Sequence, residues 1–271
     1  MAEKRVVLVG CGNMGRAMLQ GWLDAGRLKP GQVDVVEPTD ALRERAAALG
    51  VHVHATSEGL APSGDTIVIL AVKPQVIVNV AEAYRGFAQA GATFVSIAAG
   101  TPVSALEGAL GAGTAIIRCM PNTPAAIGKG MMVVYANSHV APAVLDEVKL
   151  LLSASGMVET IDDEELMHAV TAVSGSGPAY LFHFIECLTA AGEKAGLPTE
   201  TAAKLAMQTA YGAASLAAAS DDPPSRLREQ VTSPNGTTAA ALNVFMGGGR
   251  LEKLVEEAVD AARVRSVELG T

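Results

Sequence analysis

Two short runs of this chain carry residue types whose spacing suits chemistry. GCGNMG sets Gly10, Gly12 and Gly15 in the G-x-G-x-x-G spacing, directly between the apolar run VVLV and a helical pattern. That spacing serves a dinucleotide. Gly10 allows a tight turn, Gly12 lets the backbone approach a pyrophosphate, Gly15 packs helix on strand, and the anion rests on the N–H groups opening the helix. VTSPNGTTAAAL, residues 231 to 242, is a turn of Ser233, Pro234, Asn235 and Gly236 that leads into an alanine-rich helix opening on Thr237 and Thr238. The free N–H groups and positive dipole end of such a helix can hold a carboxylate without a dedicated arginine. Ordinary capping by Ser or Thr is the alternative reading.

Other positions add to these two. Glu37 closes the second strand candidate, 22 residues past Gly15. A carboxylate there accepts hydrogen bonds from a ribose 2′-OH and repels a 2′-phosphate, which favours NAD over NADP; the alternative is a surface turn capped before Pro38. No arginine stands beside Glu37 in the sequence, the nearest downstream being Arg43. Strand candidates run into AVKP and SIAAG, at the sheet edge where open α/β proteins gather ligands. Lys73 is either a solvated lysine or a neighbour of the cofactor. RCMPNTP places Asn122 and Thr123 between two prolines, and VSGSGPAY interrupts a helical pattern with two glycines, as a ligand-facing hinge or a plain connection.

The elements that must position these residues follow from periodicity. Residues 1 to 161 alternate near-continuous apolar runs (RVVLVG, VDVVEP, TIVILAV, TFVSIAAG, TAIIRCM) with helical patterns, and MMVVYA with PAVLDEVKLLLSASG closes the unit. This predicts a parallel sheet covered on both faces, a Rossmann-type dinucleotide-binding domain. Residues 162 to 271 read as helix after helix, separated by Gly and Pro. Several of those helices are apolar on more than one side, which predicts an all-α domain that needs a second copy of the chain to cover it.

Composition excludes other classes. The 271 residues carry a net charge of −8 with no basic run, against a nucleic-acid partner. No apolar run reaches the roughly 20 residues of a membrane span, and a soluble cytoplasmic protein is expected. Cys11, Cys119 and Cys187 are far apart and read as small buried hydrophobes. His52 and His54 share one strand face with no carboxylate or cysteine close in sequence, so no metal is expected.

GCGNMG, AVKP, RCMPNTP, SGSGPAY and VTSPNGTT, in this order and over essentially the whole chain, resemble pyrroline-5-carboxylate reductase. The last three are the more specific motifs. The resemblance implies a Rossmann domain followed by a helical dimerisation domain, a homodimer or a decamer built from dimers, and reduction of 1-pyrroline-5-carboxylate to L-proline with NADPH or NADH. It further implies that Gly10, Cys11, Gly12, Asn13, Met14, Gly15, Glu37, Thr56, Ala71, Val72, Lys73, Pro74, Ile97, Ala98, Ala99 and Asn122 meet the cofactor. By the same analogy Ser233, Asn235, Gly236, Thr237 and Thr238 meet the substrate, with Thr238 supporting the imine nitrogen. Two departures stand out. Asn235 replaces a glycine of the family's SPGG turn, and as the non-glycine residue most tolerant of positive φ it predicts that the turn survives. Glu37 stands where the family often has a small hydroxyl or basic residue suited to a 2′-phosphate. A β-hydroxyacid dehydrogenase would share the layout but needs a lysine soon after the second-domain GxG, and PAYLFHFIECL has none. A non-catalytic NAD(P) sensor is the remaining alternative.

Overall fold

The computed structural model describes residues 5 to 270 and divides into two compact units, residues 1–176 with 262–271, and residues 177–261. The first unit is built on one eight-stranded sheet. Its strands are β1 (Arg5–Val9), β2 (Val33–Val36), β3 (His52–His54), β4 (Thr66–Leu70), β5 (Thr93–Ser96), β6 (Ile116–Met120), β7 (Gly130–Ala136) and β8 (Gly156–Thr160). Their order is β3-β2-β1-β4-β5-β6-β7-β8, so the first six strands have the 3-2-1-4-5-6 order of a doubly wound dinucleotide-binding fold. The order reverses between β1 and β4, and that is where such folds open a crevice.

Helices cover both faces because the strands are apolar on both. On one side α1 (Asn13–Asp24) and α6 (Pro142–Leu152) place Met18, Leu19, Trp22, Val148 and Leu152 against Val6, Leu8, Val35 and Ile69. On the other, α3 (Pro74–Glu82), α4 (Arg85–Gln89) and α5 (Val103–Leu110) bring Ile77, Phe87 and Leu106 onto Val7, Val68 and Phe94. The helix α2 (Asp40–Ala47) joins β2 to β3.

The all-parallel expectation fails at one strand. β7 runs antiparallel to β6, while β7 and β8 are parallel to each other. The connection from Met120 to Gly130 is too short for a crossover, which needs a dozen or more residues, so the chain turns back through the two-proline loop instead.

Division by contact also differs from the division near residue 161 suggested by pattern. The helix α7 (Leu166–Val170) belongs to the first unit, because Glu164 accepts from the Arg118 guanidinium at 2.7 Å and from the Val103 amide at 2.7 Å. The expected break at VSGSG is a π-helical turn, Thr171–Gly175, in which the Ser176 N–H donates to the Thr171 carbonyl at 2.8 Å. An extra residue in a helical turn keeps the chain wound where two glycines would otherwise favour unwinding. A Cβ at Gly175 would overlap the Met120 methyl group, the end of a flexible side chain that would have to move to admit it.

The second unit holds α8 (Gly177–Lys194), α9 (Thr199–Ala219), α10 (Pro224–Gln230), α11 (Thr237–Met246) and most of α12 (Arg250–Glu268). No residue of α8, α10 or α11 is buried, and α9 buries only Ala202 and Ala206. The last turns of α12 return to the first unit, where the Ser266 hydroxyl meets His168 Nδ1 at 3.0 Å. Among the described residues, no helix is long and apolar enough to cross a membrane.

Candidate active site

The glycines of GCGNMG have the conformations that the spacing demands. Gly10 has φ +91°, and a Cβ there would lie 2.7 Å from the Ala71 carbonyl oxygen. At Gly15 a Cβ would overlap the Gly10 carbonyl oxygen. Gly12 faces open space, with nothing within 4 Å of where a Cβ would stand, and caps α1 in an extended conformation. The cradle is therefore closed behind the loop and open in front of it, above the free N–H groups of α1 that begin at exposed Asn13. Cys11 is buried, Met14 packs against the core, and these residues fit the pyrophosphate of a dinucleotide.

The other cofactor candidates lie at the same carboxyl edge. Ala71 follows β4 and is tied to β1 by its N–H donating to the Val9 carbonyl at 2.7 Å. Val72 leads to Lys73, which is exposed and caps α3, and Pro74 opens that helix. After β5, Ile97 donates its N–H to the Leu70 carbonyl at 3.2 Å, Ala98 donates to the Ser96 hydroxyl at 3.3 Å, and Ala99 follows. A cavity of about 320 Å³ opens here, lined by Val36, Pro38, Thr56, Val72, Val76 and Tyr84 among others, with almost wholly apolar walls suited to a purine ring. Thr56 was singled out at the sequence level. The contribution of Val76 and Tyr84 has no motif to reveal it, because both read as ordinary members of a helical stripe.

Glu37 is buried, 5% exposed. Its Oε2 accepts from the Cys11 N–H at 2.8 Å and its Oε1 from the Thr39 N–H at 2.9 Å. Arg43, six residues on, turns back to it: its guanidinium donates to the Glu37 carbonyl at 2.8 Å. Burial, and after it the negative charge of Glu37, push the Cys11 thiol up to about 11, so it stays protonated at neutral pH.

Asn122 is fully committed within the first unit. Its amide nitrogen donates to the Ser174 carbonyl at 3.2 Å and to the Ser174 hydroxyl at 3.4 Å, and its oxygen accepts from the Met131 N–H at 2.9 Å. It thereby joins the two-proline loop, β7 and the π-helical turn. A carboxylate also stands by the two histidines of β3: the Asp34 Oδ1 lies 2.9 Å from His54 Nε2 and 3.8 Å from His52 Nδ1. Strand pairing of β2 with β3 brings together what sequence separation concealed. Among the described residues, no group of three or more such side chains is placed to hold a metal ion.

The substrate candidates belong to the second unit. The Gly236 N–H donates to the Ser233 carbonyl at 3.0 Å, closing a turn whose third residue, Asn235, has φ +60°. This is the type II pattern, with Pro234 second. The positive φ falls on Asn235, the non-glycine residue most tolerant of it, and Gly236 is extended at φ −80°. Gly236 excludes a side chain, since a Cβ would overlap the Ser233 hydroxyl and lie 3.1 Å from its carbonyl oxygen. The helix α11 then begins at Thr237 with no side-chain cap, leaving the N–H groups of its first turn to a ligand, and Thr238 is half-buried there.

Comparison with known proteins agrees with both units. Residues 164–269 match a family profile described as pyrroline-5-carboxylate reductase dimerisation, and residues 5–100 match one described as NADP oxidoreductase, coenzyme F420-dependent. The chain is 43% identical to the pyrroline-5-carboxylate reductase of Pseudomonas aeruginosa, over 100% of this chain and 98% of the relative. A solved pyrroline-5-carboxylate reductase from Coxiella burnetii superposes with a TM-score of 0.93 at 32% identity, covering 99% of each chain. The Plasmodium falciparum pyrroline carboxylate reductase, solved with NADP bound, gives a TM-score of 0.85 at 29% identity and covers all of both chains. With a glycine cradle and carboxyl-edge loops in its first unit, and relatives of that name matched over its full length, this chain belongs to the pyrroline-5-carboxylate reductase family.

Proposed function

We propose that the chain catalyses the NAD(P)H-dependent reduction of 1-pyrroline-5-carboxylate to L-proline, the last step of proline biosynthesis. The observation that carries this reading is the 43% identity to a pyrroline-5-carboxylate reductase over 100% of this chain, both units included. The reduced nicotinamide supplies a hydride for the C=N carbon of the ring. Gly10 to Gly15 hold the pyrophosphate, and Ala71 to Pro74 with Ile97 to Ala99 form the floor on which the rest of the cofactor lies. Asn122 serves that floor by fixing the loop after β6. The N–H groups at Thr237 and Thr238, with the Ser233 hydroxyl, hold the substrate carboxylate at the positive end of α11, next to Asn235 and Gly236 of the turn. The Thr238 hydroxyl supports the ring nitrogen as it changes from iminium to amine. A protonated imine is already electrophilic, so alignment and this one hydrogen bond carry most of the work and no general base is required.

The exposed apolar faces of the second unit make a homodimer the functional unit, and assembly of dimers into a decamer is the larger form we propose. Loss of reduced-nicotinamide absorbance on addition of 1-pyrroline-5-carboxylate, with stoichiometric appearance of proline, tests the activity. Tight NAD(P)H binding without turnover would make the chain a dinucleotide sensor instead.

A further inference from the structure

Glu37 is held at every polar group it has. Besides the two amides on its carboxylate, its own N–H donates to the His54 carbonyl at 2.9 Å, and its carbonyl accepts from Arg43. The carboxylate is therefore fixed between the glycine loop, at Cys11, and the residue capping α2, at Thr39. Its chain neighbours Val36 and Pro38 line the apolar cavity at the carboxyl edge, as does Gly10 beside Cys11, so the carboxylate is bonded next to residues that wall that cavity. A rotation away from these partners would leave the Cys11 and Thr39 N–H groups without this acceptor, the first of them on a buried residue.

A 2′-phosphate needs donors, and two of those beside Glu37, the Thr39 N–H and the Arg43 guanidinium, are already engaged. The Thr39 N–H, which an anion at the start of α2 would use, is occupied by Glu37 Oε1. Arg43 donates to the Glu37 carbonyl at 2.8 Å and the Pro38 carbonyl at 3.1 Å, and its other nitrogen is paired with Asp40. Asp40 adds a second negative charge in the first turn of α2. The ribose 2′-OH of NADH has no such requirement, because it donates to a carboxylate lone pair that the two amides leave free.

Building on the reading of the chain as an NAD(P)H-dependent reductase, we propose that the anchored Glu37 carboxylate selects NADH over NADPH, with Asp40 keeping Arg43 from serving a 2′-phosphate. Two like charges a few ångströms apart at a partly buried site disfavour the phosphorylated cofactor by about tenfold or more in dissociation constant. The anchoring adds a consequence that charge repulsion alone lacks. Glu37→Gln presents one oxygen to two amides, so it loosens the loop and weakens NADH while improving NADPH relative to it.

Fluorescence titration of both reduced cofactors, without substrate, tests this separately from the imine reaction. Wild type should bind NADH at least about tenfold more tightly than NADPH. Glu37→Gln should bring the ratio near unity with NADH weakened several-fold, and Asp40→Asn, which leaves the loop untouched, should narrow the ratio by releasing Arg43. NADPH binding as tightly as NADH in the wild type overturns the proposal. So does an unchanged ratio in a folded Glu37→Gln protein, and should that variant fail to fold, an unchanged ratio in Asp40→Asn does the same. Failure to reduce the imine while the cofactor ratio holds would instead refute the catalytic reading alone.

Discussion

The two units solve the burial problem in opposite ways. In the first, Trp22, Phe94, Leu106 and Tyr84 are essentially inaccessible to solvent, and each sheet face has its own layer of helices. In the second, Leu181, Phe182, Leu216, Val244 and Leu254 are each more than half exposed. Burying a leucine or phenylalanine contributes roughly 1.5–3 kcal/mol, so the second unit by itself forgoes the stabilisation that holds the first. The glycine cradle thus rests on a self-sufficient scaffold, while the Ser-Pro-Asn-Gly turn proposed to hold substrate rests on helices with exposed apolar faces. Cofactor binding and catalysis should therefore respond differently to loss of assembly.

The largest effect should come from breaking that assembly. Phe182→Asp combined with Leu254→Asp puts unpaired carboxylates on apolar faces, at about 3 kcal/mol or more each once buried. Sedimentation should show the dimer weakened by at least about 100-fold, and kcat/KM should fall with it. Affinity for the reduced cofactor should stay within about threefold, because the first unit keeps its core. A monomer with undiminished kcat/KM would erase the contrast between the units.

Within an assembled enzyme, Thr238→Val isolates chemistry from architecture. It keeps the β-branched shape at the first turn of α11 and removes one hydroxyl. If that hydroxyl supports the nitrogen during hydride transfer, kcat/KM falls by roughly 30-fold to 1000-fold, equivalent to about 2–4 kcal/mol, with cofactor affinity unchanged. Full activity in the folded variant would leave the turn as a carboxylate anchor only.

What the sequence made legible divides along the same line. Strand and helix patterns of the first unit are local, and GCGNMG needs only its neighbours to be read, so the cradle and the 3-2-1-4-5-6 order could be anticipated. The antiparallel β7 and the Asp34 contact with His54 depend on strand pairings, which periodicity does not encode, and the Arg43 contact with Glu37, six residues away, depends on how the chain turns from β2 into α2. In the second unit the helices were legible from their Gly and Pro punctuation, but α10 and α11 are short and Ala-rich or polar, and only the turn residues marked the start of α11. The π-helical turn escaped notice because glycine in a helical pattern signals a break more often than an inserted residue.

A smaller effect is expected at the brace between the two-proline loop and the π-helical turn. Asn122→Ala leaves the Met131 N–H without its acceptor and frees Ser174, so stability should fall by about 1–3 kcal/mol in a denaturant titration. Asn122→Asp retains the acceptor for Met131 and loses both donors, and should recover part of that loss. A change in cofactor affinity without any loss of stability in Asn122→Ala would instead make Asn122 a direct cofactor ligand.

The smallest effect concerns Asn235, which alone among the described non-glycine residues has positive φ. Two terms oppose each other in Asn235→Gly. Glycine relieves the left-handed strain, which for asparagine is under about 1 kcal/mol because its short side chain tolerates that region. Glycine also widens the unfolded ensemble by about 0.4–1 kcal/mol, which the folded state must overcome. The terms nearly cancel, so the unfolding midpoint should correspond to a change below about 0.5 kcal/mol. Asn235→Val faces the strain without relief and should cost about 1–3 kcal/mol, with KM for the imine raised because the N–H groups after it lose their aim. If Asn235→Gly were destabilising by more than about 1.5 kcal/mol, the turn would depend on the asparagine side chain and not on the backbone conformation that it permits.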